Sequence, residues 1–579
     1  MAAIDSPLST SPAVKWAITP TVSTFAEKAL GQWNIPGMSV GVVRVTDAGE
    51  VQTDFGGWGK VNEDGDPPTP DTLFYIASCS KAFLASAIGI LMDDFAQGQN
   101  AIPLPTSMRA FTWDTKVCDL FPSDEWLLED EWTYAKMNIR DLLAHVTGLA
   151  GHDLAYSDTD SALDIVKRMR HLKSTYELRE RYCYNNQMYV MGAHIVTIYS
   201  GMSFTTFVKK RILVPLGMHS STYFLSEAEK TGQLSQSWAS TGRLIPPWLK
   251  DTVAETIAGP GGLISNVVDM TKWMAMLLNR GVDPSTKTRI MPEAVLDETT
   301  MAHYISEHVG PNAYTSVQGY GLGWSRQSYL GHEIVSHSGA IPGIKTITLI
   351  LPLERIGVVA LTNMDGEHRA DRLTSYRIIE ELLELKHASD ALLDQYVPVA
   401  PSKAPAETKI EPNAPSDPPS TEEKAVRVVP LPLEHYTGTF TNPAYGSFTL
   451  CTPSTESSYA REVIANFASC SELDDHGVAL YTAWRRMWAS HVRLRHHEKN
   501  IFLLSYCVLF PHGYGKDTTP FAYKQLGGME VPVEFDVQDG KVVGLGILDV
   551  VFDPRRPPHA EGSVEQRADV WFSKECSIG

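Results

Sequence analysis

Residues 71–84 read DTLFYIASCSKAFL, a short apolar stretch that runs into a helix opening near Ser78. Positions i and i+3 of a helix lie on one face, so this spacing places the Ser78 hydroxyl beside the Lys81 amine. A serine hydroxyl becomes an effective nucleophile when a neighbouring base takes its proton. A lysine can be that base only if burial and a nearby cation lower its pKa from about 10.4 to about 7.5. The stretch therefore predicts a reactive serine and requires a dry pocket around it.

The composition and net charge of the chain indicate a globular protein and exclude some classes of partner. The chain has 579 residues and a net charge of −19, with 43% hydrophobic residues. This composition is typical of a globular protein, and the length allows roughly two to four domains. The acidity argues against nucleic acid or an anionic membrane as a partner.

The N-terminal residues, the apolar runs and the cysteines indicate in which cellular compartment the protein is expected. Residues 1–16 lack a charged segment followed by an apolar one, so no secretory signal is expected. The longest apolar run, 82–92, is too short to cross a bilayer. The seven cysteines show no paired spacing, which favours free thiols in a reducing compartment. We therefore expect a cytoplasmic protein.

The order of predicted elements indicates an α+β fold followed by an all-β domain. A helix, two strands and several helices precede four strands and a closing helix, an order typical of an antiparallel sheet covered by helices. One of these helices is predicted over 137–149, ending at Gly148. Residues 397–432 are rich in Pro, Ala and charge, and predict a linker. We expect a catalytic domain at 1–396 and a small β-sandwich or barrel at 433–579.

Two short motifs occur once each and in suggestive places. Ser78-x-x-Lys81 is the only Ser-x-x-Lys, and Tyr184-Asn185-Asn186 is the only Tyr-x-Asn. A rival nucleophile is Ser39, within Gly37-Met38-Ser39-Val40-Gly41, but a nucleophile elbow requires a helix after the serine, and a strand pattern follows here. No zinc-site spacing is present, so neither a metal nor another cofactor is expected. His145 and His152 are interpreted as structural.

With these motifs in this order, the chain resembles the serine β-lactamase and penicillin-binding-protein superfamily. More narrowly, it is similar to the branch of class C β-lactamases, D-aminopeptidases, esterases and acyltransferases (peptidase family S12). The resemblance covers about residues 20–390 and implies a β-lactamase/transpeptidase-like fold, with an antiparallel sheet and an all-helical region. Residues 433–450 are similar to the lipocalin-like β domain that follows some S12 proteins.

The resemblance also implies roles for individual residues. Ser78 would be the acylated nucleophile, and Lys81 would share its proton. Tyr184, as phenolate or through its hydroxyl, would be the partner base and later the acid for the leaving group. Asn186 would bind the substrate's amide or acyl oxygen and help to hold Lys81.

The third motif of the superfamily has two candidates. A literal Lys230-Thr231-Gly232 lies in a polar loop without a strand pattern. His337-Ser338-Gly339-Ala340 follows the stretch 319–324 (GYGLGW) and leads into the predicted strand 345–351, a place that matches the edge strand beside the nucleophile in the family. We favour the second, in which His337 and Gly339 flank the substrate. The backbone N–H groups of Ser78 and Ala340 would then form the oxyanion hole.

These expectations define a function and its alternatives. The main hypothesis is a serine hydrolase or acyltransferase that forms an acyl-enzyme on Ser78 from an ester, thioester or amide of a small metabolite. The expected partners are a small-molecule acyl donor and acceptor, with a homo-oligomer possible. One alternative is a D-amino-acid-specific peptidase or amidase. Another, of a different class, is a catalytically silent scaffold.

Overall fold

A computed structural model describes residues 16–396, 429–473, 477–550 and 561–575. The predicted linker at 397–432 lies almost entirely outside the described residues, and its boundaries remain a prediction. Two sheets organise the rest, one in each half of the chain.

The first sheet is antiparallel and has eight strands, in the order β2-β1-β12-β11-β10-β9-β8-β7. Two further pairs, β3 with β6 and β4 with β5, lie outside it. The strands are β1 (Gly37–Val45), β2 (Val51–Gly59), β3 (Phe74–Tyr75), β4 (Ser237–Trp238), β5 (Leu244–Ile245), β6 (Ile264–Ser265), β7 (Tyr304–Glu307), β8 (Gln318–Tyr320), β9 (Ser325–Tyr329), β10 (His332–Ile341), β11 (Ile344–Leu351) and β12 (Ile356–Thr362).

Helices precede, interrupt and follow these strands. They are α1 (Pro20–Trp33), α2 (Lys81–Ala96), α3 (Val117–Leu120), α4 (Glu131–Lys136), α5 (Ile139–Leu143), α6 (Ala162–Arg168), α7 (Asn186–Ser200), α8 (Phe204–Val208), α9 (Leu225–Lys230), α10 (Ala254–Ile257), α11 (Val267–Leu278), α12 (Glu293–Thr300), α13 (Ala370–Leu383) and α14 (Ala388–Gln395). Helices α1 and α13 pack together over one face of the sheet, and α11 packs on β1 and β12.

The central strand β12 shows why this sheet is covered on both faces. Its residues alternate between two hydrophobic cores: Val358 and Ala360 belong to the core with α1 and α13, whereas Val359 and Leu361 belong to the core with α2 and α11. Successive strand residues point to opposite faces, so a strand that is buried on both reads as one continuous apolar run.

The helix predicted over 137–149 is wrong in extent. Helix α5 stops at Leu143, and the backbone turns at His145, which has φ 61°, and at Gly148, which has φ 80°. The His145 carbonyl accepts a hydrogen bond from the Cys183 amide at 2.7 Å. A Cβ on Gly148 would lie 2.2 Å from the Tyr176 carbonyl oxygen. These contacts between distant segments, which apolar periodicity does not record, end the helix early.

The second sheet follows the predicted linker. Its path runs β14-β13-β21-β20-β19-β17-β16-β15, with β18 paired to β17, and an isolated bridge between Cys451 and Tyr481 brings its two ends together as a nearly closed barrel. The strands are β13 (Gly438–Asn442), β14 (Gly446–Leu450), β15 (Ala479–Ala483), β16 (His491–Glu498), β17 (Ile501–Phe510), β18 (Phe521–Lys524), β19 (Val531–Gln538), β20 (Lys541–Ile547) and β21 (Val570–Lys574).

In the described part of the barrel, two helices interrupt the strands, α15 (Ser458–Ser469) and α16 (Val564–Arg567), although only strands were expected here. Helix α15 buries Ala460, Val463 and Phe467, a stripe with helical spacing that fastens it to the sheet. Across the described ranges, no helix combines the length and apolarity needed to cross a bilayer.

Candidate active site

The turn that carries Ser78 is fixed by its neighbours. Residues Ala77–Ser80 form a 3₁₀ turn that leads directly into α2, and Ala77 has φ 46°, a left-handed conformation rare for alanine. Strand β10 passes close to this turn: a Cβ on Gly339 would lie 2.3 Å from the Ile76 carbonyl oxygen. Glycine is therefore required at 339 for the strand to approach the nucleophile turn.

Ser78 lies at the centre of a group of buried polar side chains. Its Oγ is 2.8 Å from the Tyr184 hydroxyl and 3.2 Å from Lys81 Nζ. Lys81 Nζ also donates to Asn186 Oδ1 and to the Pro260 carbonyl, both at 2.7 Å. Lys81 has no exposed surface, whereas Ser78 is partly exposed. The predicted Ser78, Lys81, Tyr184 and Asn186 therefore meet, with the serine open to a ligand.

Burial determines the charge of this group. Desolvation lowers the pKa of Lys81 to about 7, although the Asp153 carboxylate opposes the shift. Desolvation also raises the pKa of Tyr184 far above its ordinary value of 10, and the hydrogen bond to Ser78 only partly offsets this. Near neutrality, Tyr184 is therefore a phenol, and a substantial share of Lys81 is the neutral amine.

The Tyr184 segment is held by His145 and by the start of α7. Asn185 caps α7, and its backbone N–H donates to His145 Nδ1 at 3.1 Å. The His145 ring lies 4.4 Å from the Tyr184 ring, centroid to centroid. Burial lowers the pKa of His145 well below its usual range, so its ring is neutral. His145 thus supports the site from behind, in agreement with its interpretation as structural.

Asp153 was not predicted from the sequence. Its carboxylate accepts from Asn186 Nδ2 and from the Tyr156 hydroxyl, each at 2.9 Å. Because the first bond fixes the amide nitrogen of Asn186, the amide oxygen faces Lys81. No motif marks an aspartate at this position, since its role depends on the fold of the loop after α5.

His337 has a different environment from the one expected. It is buried, its Nδ1 is 2.6 Å from the Ser338 carbonyl, and its Nε2 is 2.9 Å from the Tyr320 hydroxyl. The carbonyl can only accept, so Nδ1 donates and Nε2 accepts from Tyr320. Burial lowers its pKa to about 3. His337 is thus neutral with both ring nitrogens engaged, while Ala340, three residues on, faces the cleft.

The two rival motifs lie elsewhere. Ser39 is fully buried in the middle of β1, which pairs with strands on both sides, so the helix of a nucleophile elbow is absent. Lys230 ends the short helix α9 and is exposed, with Thr231 and Gly232 exposed after it. Neither residue is among those that surround Ser78 in the cleft.

A cavity of about 410 Å³ opens beside this group and was not predicted. Asn186 and Ala340 line both this cavity and the small crevice at Ser78. Both domains contribute to the wall, which consists of Gly151, Asp153, Leu154, Asn186, Ala340, Ile341, Pro342, Asp365, Tyr445, Trp488, Tyr506, Tyr523, Gln525, Val531, Ile547, Asp549 and Val550. The β domain therefore forms part of the cleft.

Hydrogen bonds attach the β domain to both sides of the cleft. The Tyr445 hydroxyl is 2.7 Å from His152 Nδ1, next to Asp153. On the other side, the Tyr523 hydroxyl donates to the buried Asp365 at 2.7 Å. Asp365 also accepts from the Gly343 amide, in the turn between β10 and β11. His152 therefore has a structural role between the domains.

Comparisons with known proteins agree with this architecture. A family model described as Beta-lactamase matches residues 22–383. The fold is similar to that of the octameric penicillin-binding protein homologue from Pyrococcus abyssi, with a TM-score of 0.53 over 96% of this chain and 99% of that chain. The two sequences are 19% identical, so this likeness concerns the fold alone.

Curated relatives extend the match. The chain is 30% identical over 463 residues to an unguisins hydrolase of Aspergillus campestris (strain IBT 28561), a match covering 74% of this chain and 78% of the relative. It is 25% identical over 326 residues to a D-aminopeptidase of Gluconobacter oxydans (strain 621H), covering 56% and 55%. Because the family model spans more than half of the sequence, the chain belongs to the beta-lactamase family, a family of serine hydrolases of the penicillin-binding-protein type.

Proposed function

We propose that this protein is a hydrolase that forms an acyl-enzyme on Ser78 from an ester, thioester or amide of a small metabolite and releases the acyl group to water. The observation that carries the proposal is the position of Ser78 Oγ between the Tyr184 hydroxyl and Lys81 Nζ. Water as the acceptor is supported by relatives named as a hydrolase and a peptidase.

The hydrogen bonds of Lys81 suit it to be the base. A neutral amine has two N–H bonds, and these are taken by the Asn186 and Pro260 oxygens at 2.7 Å. The nitrogen lone pair is then left for the Ser78 hydroxyl at 3.2 Å. The pKa of about 7 makes this neutral form available near pH 7. A general base with a pKa near the working pH is the effective one.

Acylation follows from this arrangement. Ser78 Oγ attacks the acyl carbon while its proton moves to Lys81, and the backbone N–H groups of Ser78 and Ala340 stabilise the resulting oxyanion. The Tyr184 hydroxyl then protonates the leaving group and regains a proton from Lys81. Water attacks the acyl-enzyme by the reverse sequence, which restores the Ser78 hydroxyl. Each proton that leaves Ser78 thus reaches the leaving group.

The environment of His337 changes its proposed role. Both ring nitrogens are already hydrogen-bonded, and its pKa of about 3 keeps it uncharged. It therefore acts as a positioning residue for β10 and Tyr320, instead of a direct ligand of the substrate. Gly339 lets this strand approach Ser78, and Ala340 supplies the N–H.

Intact-mass trapping tests the proposal. Incubation with p-nitrophenyl acetate, thioesters, D-aminoacyl amides and a fluorophosphonate should add one acyl or phosphonyl group to Ser78. Ser78→Ala should abolish the adduct and the turnover. Ser39→Ala is the matched control, because that serine is equally part of a motif but lies within a paired strand, and it should react as wild type.

The outcomes separate the alternatives. Turnover confined to D-aminoacyl amides would establish the D-amino-acid-specific amidase instead. Absence of any adduct or turnover across the panel would leave the silent scaffold. An adduct that persists in Ser78→Ala would show that another residue is the nucleophile.

A further inference from the structure

We propose that the cavity between the two domains is a substrate subsite for a bulky, uncharged apolar group, and that the β domain sets its specificity. This inference rests on the proposed function, because it assigns a ligand class to the cleft beside Ser78. It goes further in placing substrate selection on residues 445–550, outside the segment matched by the family model.

The location of the cavity links it to the reacting atoms. Asn186 and Ala340 belong both to the cavity and to the crevice at Ser78, and so do Ile341 and Trp488. A substrate whose scissile bond lies at Ser78 therefore extends directly into the cavity. The volume of about 410 Å³ is within the usual range of small-molecule sites, and far larger than an acetyl group needs.

The walls from the β domain are mainly apolar. Tyr445 and Tyr506 are buried, and Trp488 is half-buried at the junction of cavity and crevice. Val531 and Ile547, from β19 and β20, add branched aliphatic surface. Aromatic and aliphatic walls of this kind favour ligands that leave water on binding.

Two of the carboxylates in the wall, Asp365 and Asp153, are hydrogen-bonded to groups of the protein. Asp365 accepts from three donors, the Ser240 and Gly343 amides and the Tyr523 hydroxyl, at 2.7–2.8 Å. Asp153 accepts from Asn186 and Tyr156. Both oxygens of each carboxylate are therefore already hydrogen-bonded within the protein.

The cavity wall contains a third carboxylate, that of Asp549. Asp549 has a partner within the protein as well. Among the described residues that line the cavity there is no lysine, arginine or histidine, so these residues offer an anionic ligand no counter-charge. A neutral group is the one that these walls accommodate without an unpaired charge.

Steady-state kinetics with matched esters tests the subsite. One series varies the acyl half from acetyl to 2-naphthoyl, and a second varies the leaving half with acetyl kept constant. In one of the two series, the bulky uncharged ester should be the better substrate. For the wild type, its kcat/KM should be about tenfold or more above that of p-nitrophenyl acetate. An ester of the same size that carries a protonated amine should be a poorer substrate than this uncharged ester.

Variants then locate the effect. Trp488→Ala should lower the ratio of kcat/KM for the bulky probe to kcat/KM for p-nitrophenyl acetate by about tenfold. Val531→Phe, which fills the cavity from the β domain, should raise KM for the bulky probe more than KM for p-nitrophenyl acetate. Melting temperatures identify any variant that fails to fold. Trp132→Ala is the matched control, because Trp132 is 53% exposed and does not line the cavity.

Binding separates this inference from the proposed reaction. Calorimetry with Ser78→Ala and a neutral naphthyl amide should show binding that Trp488→Ala, added to it, abolishes. Such binding, together with a wild-type protein that turns over none of the probes, would refute the proposed function and retain the subsite. Acetate turnover with no bulky preference in either series, or a preference for the amine-bearing probe, would overturn the subsite.

Discussion

The catalytic group and the interdomain cavity are adjacent but built in opposite ways. Ser78, Lys81, Tyr184 and Asn186 all come from one domain and form a closed set of polar contacts. The cavity wall comes from two domains and is mostly aromatic and aliphatic. Polar contacts of fixed geometry suit bond-making chemistry, whereas an apolar wall suits selection of a ligand by size. On the proposed function, one domain would carry the chemistry and a wall built by both domains would select the substrate, so the two properties should be separable by mutation.

Removal of Lys81 should have the largest effect, and only on the chemistry. Lys81→Met keeps most of the side-chain volume but removes the proposed base, so kcat should fall by about 10³-fold or more. Binding of the neutral naphthyl amide should change little. Stopped-flow acylation and calorimetry measure the two quantities. Lys230→Met is the control and should retain wild-type rates, and an equal loss in both variants would contradict the assignment of the base.

Tyr184→Phe should have the next largest effect. The ring and its contact with His145 remain, but the hydroxyl that we propose as the acid for the leaving group is lost. We expect kcat to fall about 10²-fold with KM nearly unchanged. Esters with a good leaving group, such as p-nitrophenolate, should suffer less than amides, because they depend less on that proton. A uniform loss across leaving groups would argue against the role of Tyr184 as acid.

The pH profile should report Lys81. Below pH 7 the amine is increasingly protonated and cannot accept the Ser78 proton, so kcat/KM should rise with pH and level off above an apparent pKa of about 7. His337, with a pKa of about 3, should contribute no second step between pH 5 and 9. Rates for a non-ionising ester measure this directly. A profile that falls between pH 6 and 8 would show that the charged amine is the active form.

The same contrast explains what the sequence could predict. Ser78 and Lys81 are three residues apart on one turn, so local geometry was enough to pair them. Strands β11 and β12 were recognisable because burial on both faces leaves them mostly apolar.

The remaining features depend on tertiary contacts. The cavity residues Tyr445, Trp488 and Tyr506 are far from Ser78 in sequence and meet it only through the packing of two domains. Asp153 likewise has no local signature, because its partner Asn186 lies 33 positions away. The hydrogen bond at Nε2 of His337 comes from Tyr320, and no sequence motif links these two residues.

The smallest expected effect concerns a hydrogen bond between the β domain and the catalytic domain. Tyr523→Phe removes one of three donors to Asp365, a buried carboxylate that also holds the Gly343 turn between β10 and β11. Loss of a hydrogen bond to a buried charge should lower the free energy of unfolding by about 1–3 kcal/mol. Urea unfolding measures this, with Tyr514→Phe as control, since Tyr514 is an exposed tyrosine of the same domain.

The effect of Tyr523→Phe on kcat tests whether the catalytic group at Ser78 and the interdomain cavity can be changed independently. If the β domain only forms a wall, kcat for p-nitrophenyl acetate should stay within about twofold while the bulky probe loses affinity. If kcat for acetate falls in parallel with stability, the hydrogen bond through Asp365 also positions Ala340, three residues before Gly343. The division between a catalytic and a selecting domain would then fail at this hydrogen bond, because a β-domain hydroxyl would help to hold the oxyanion hole.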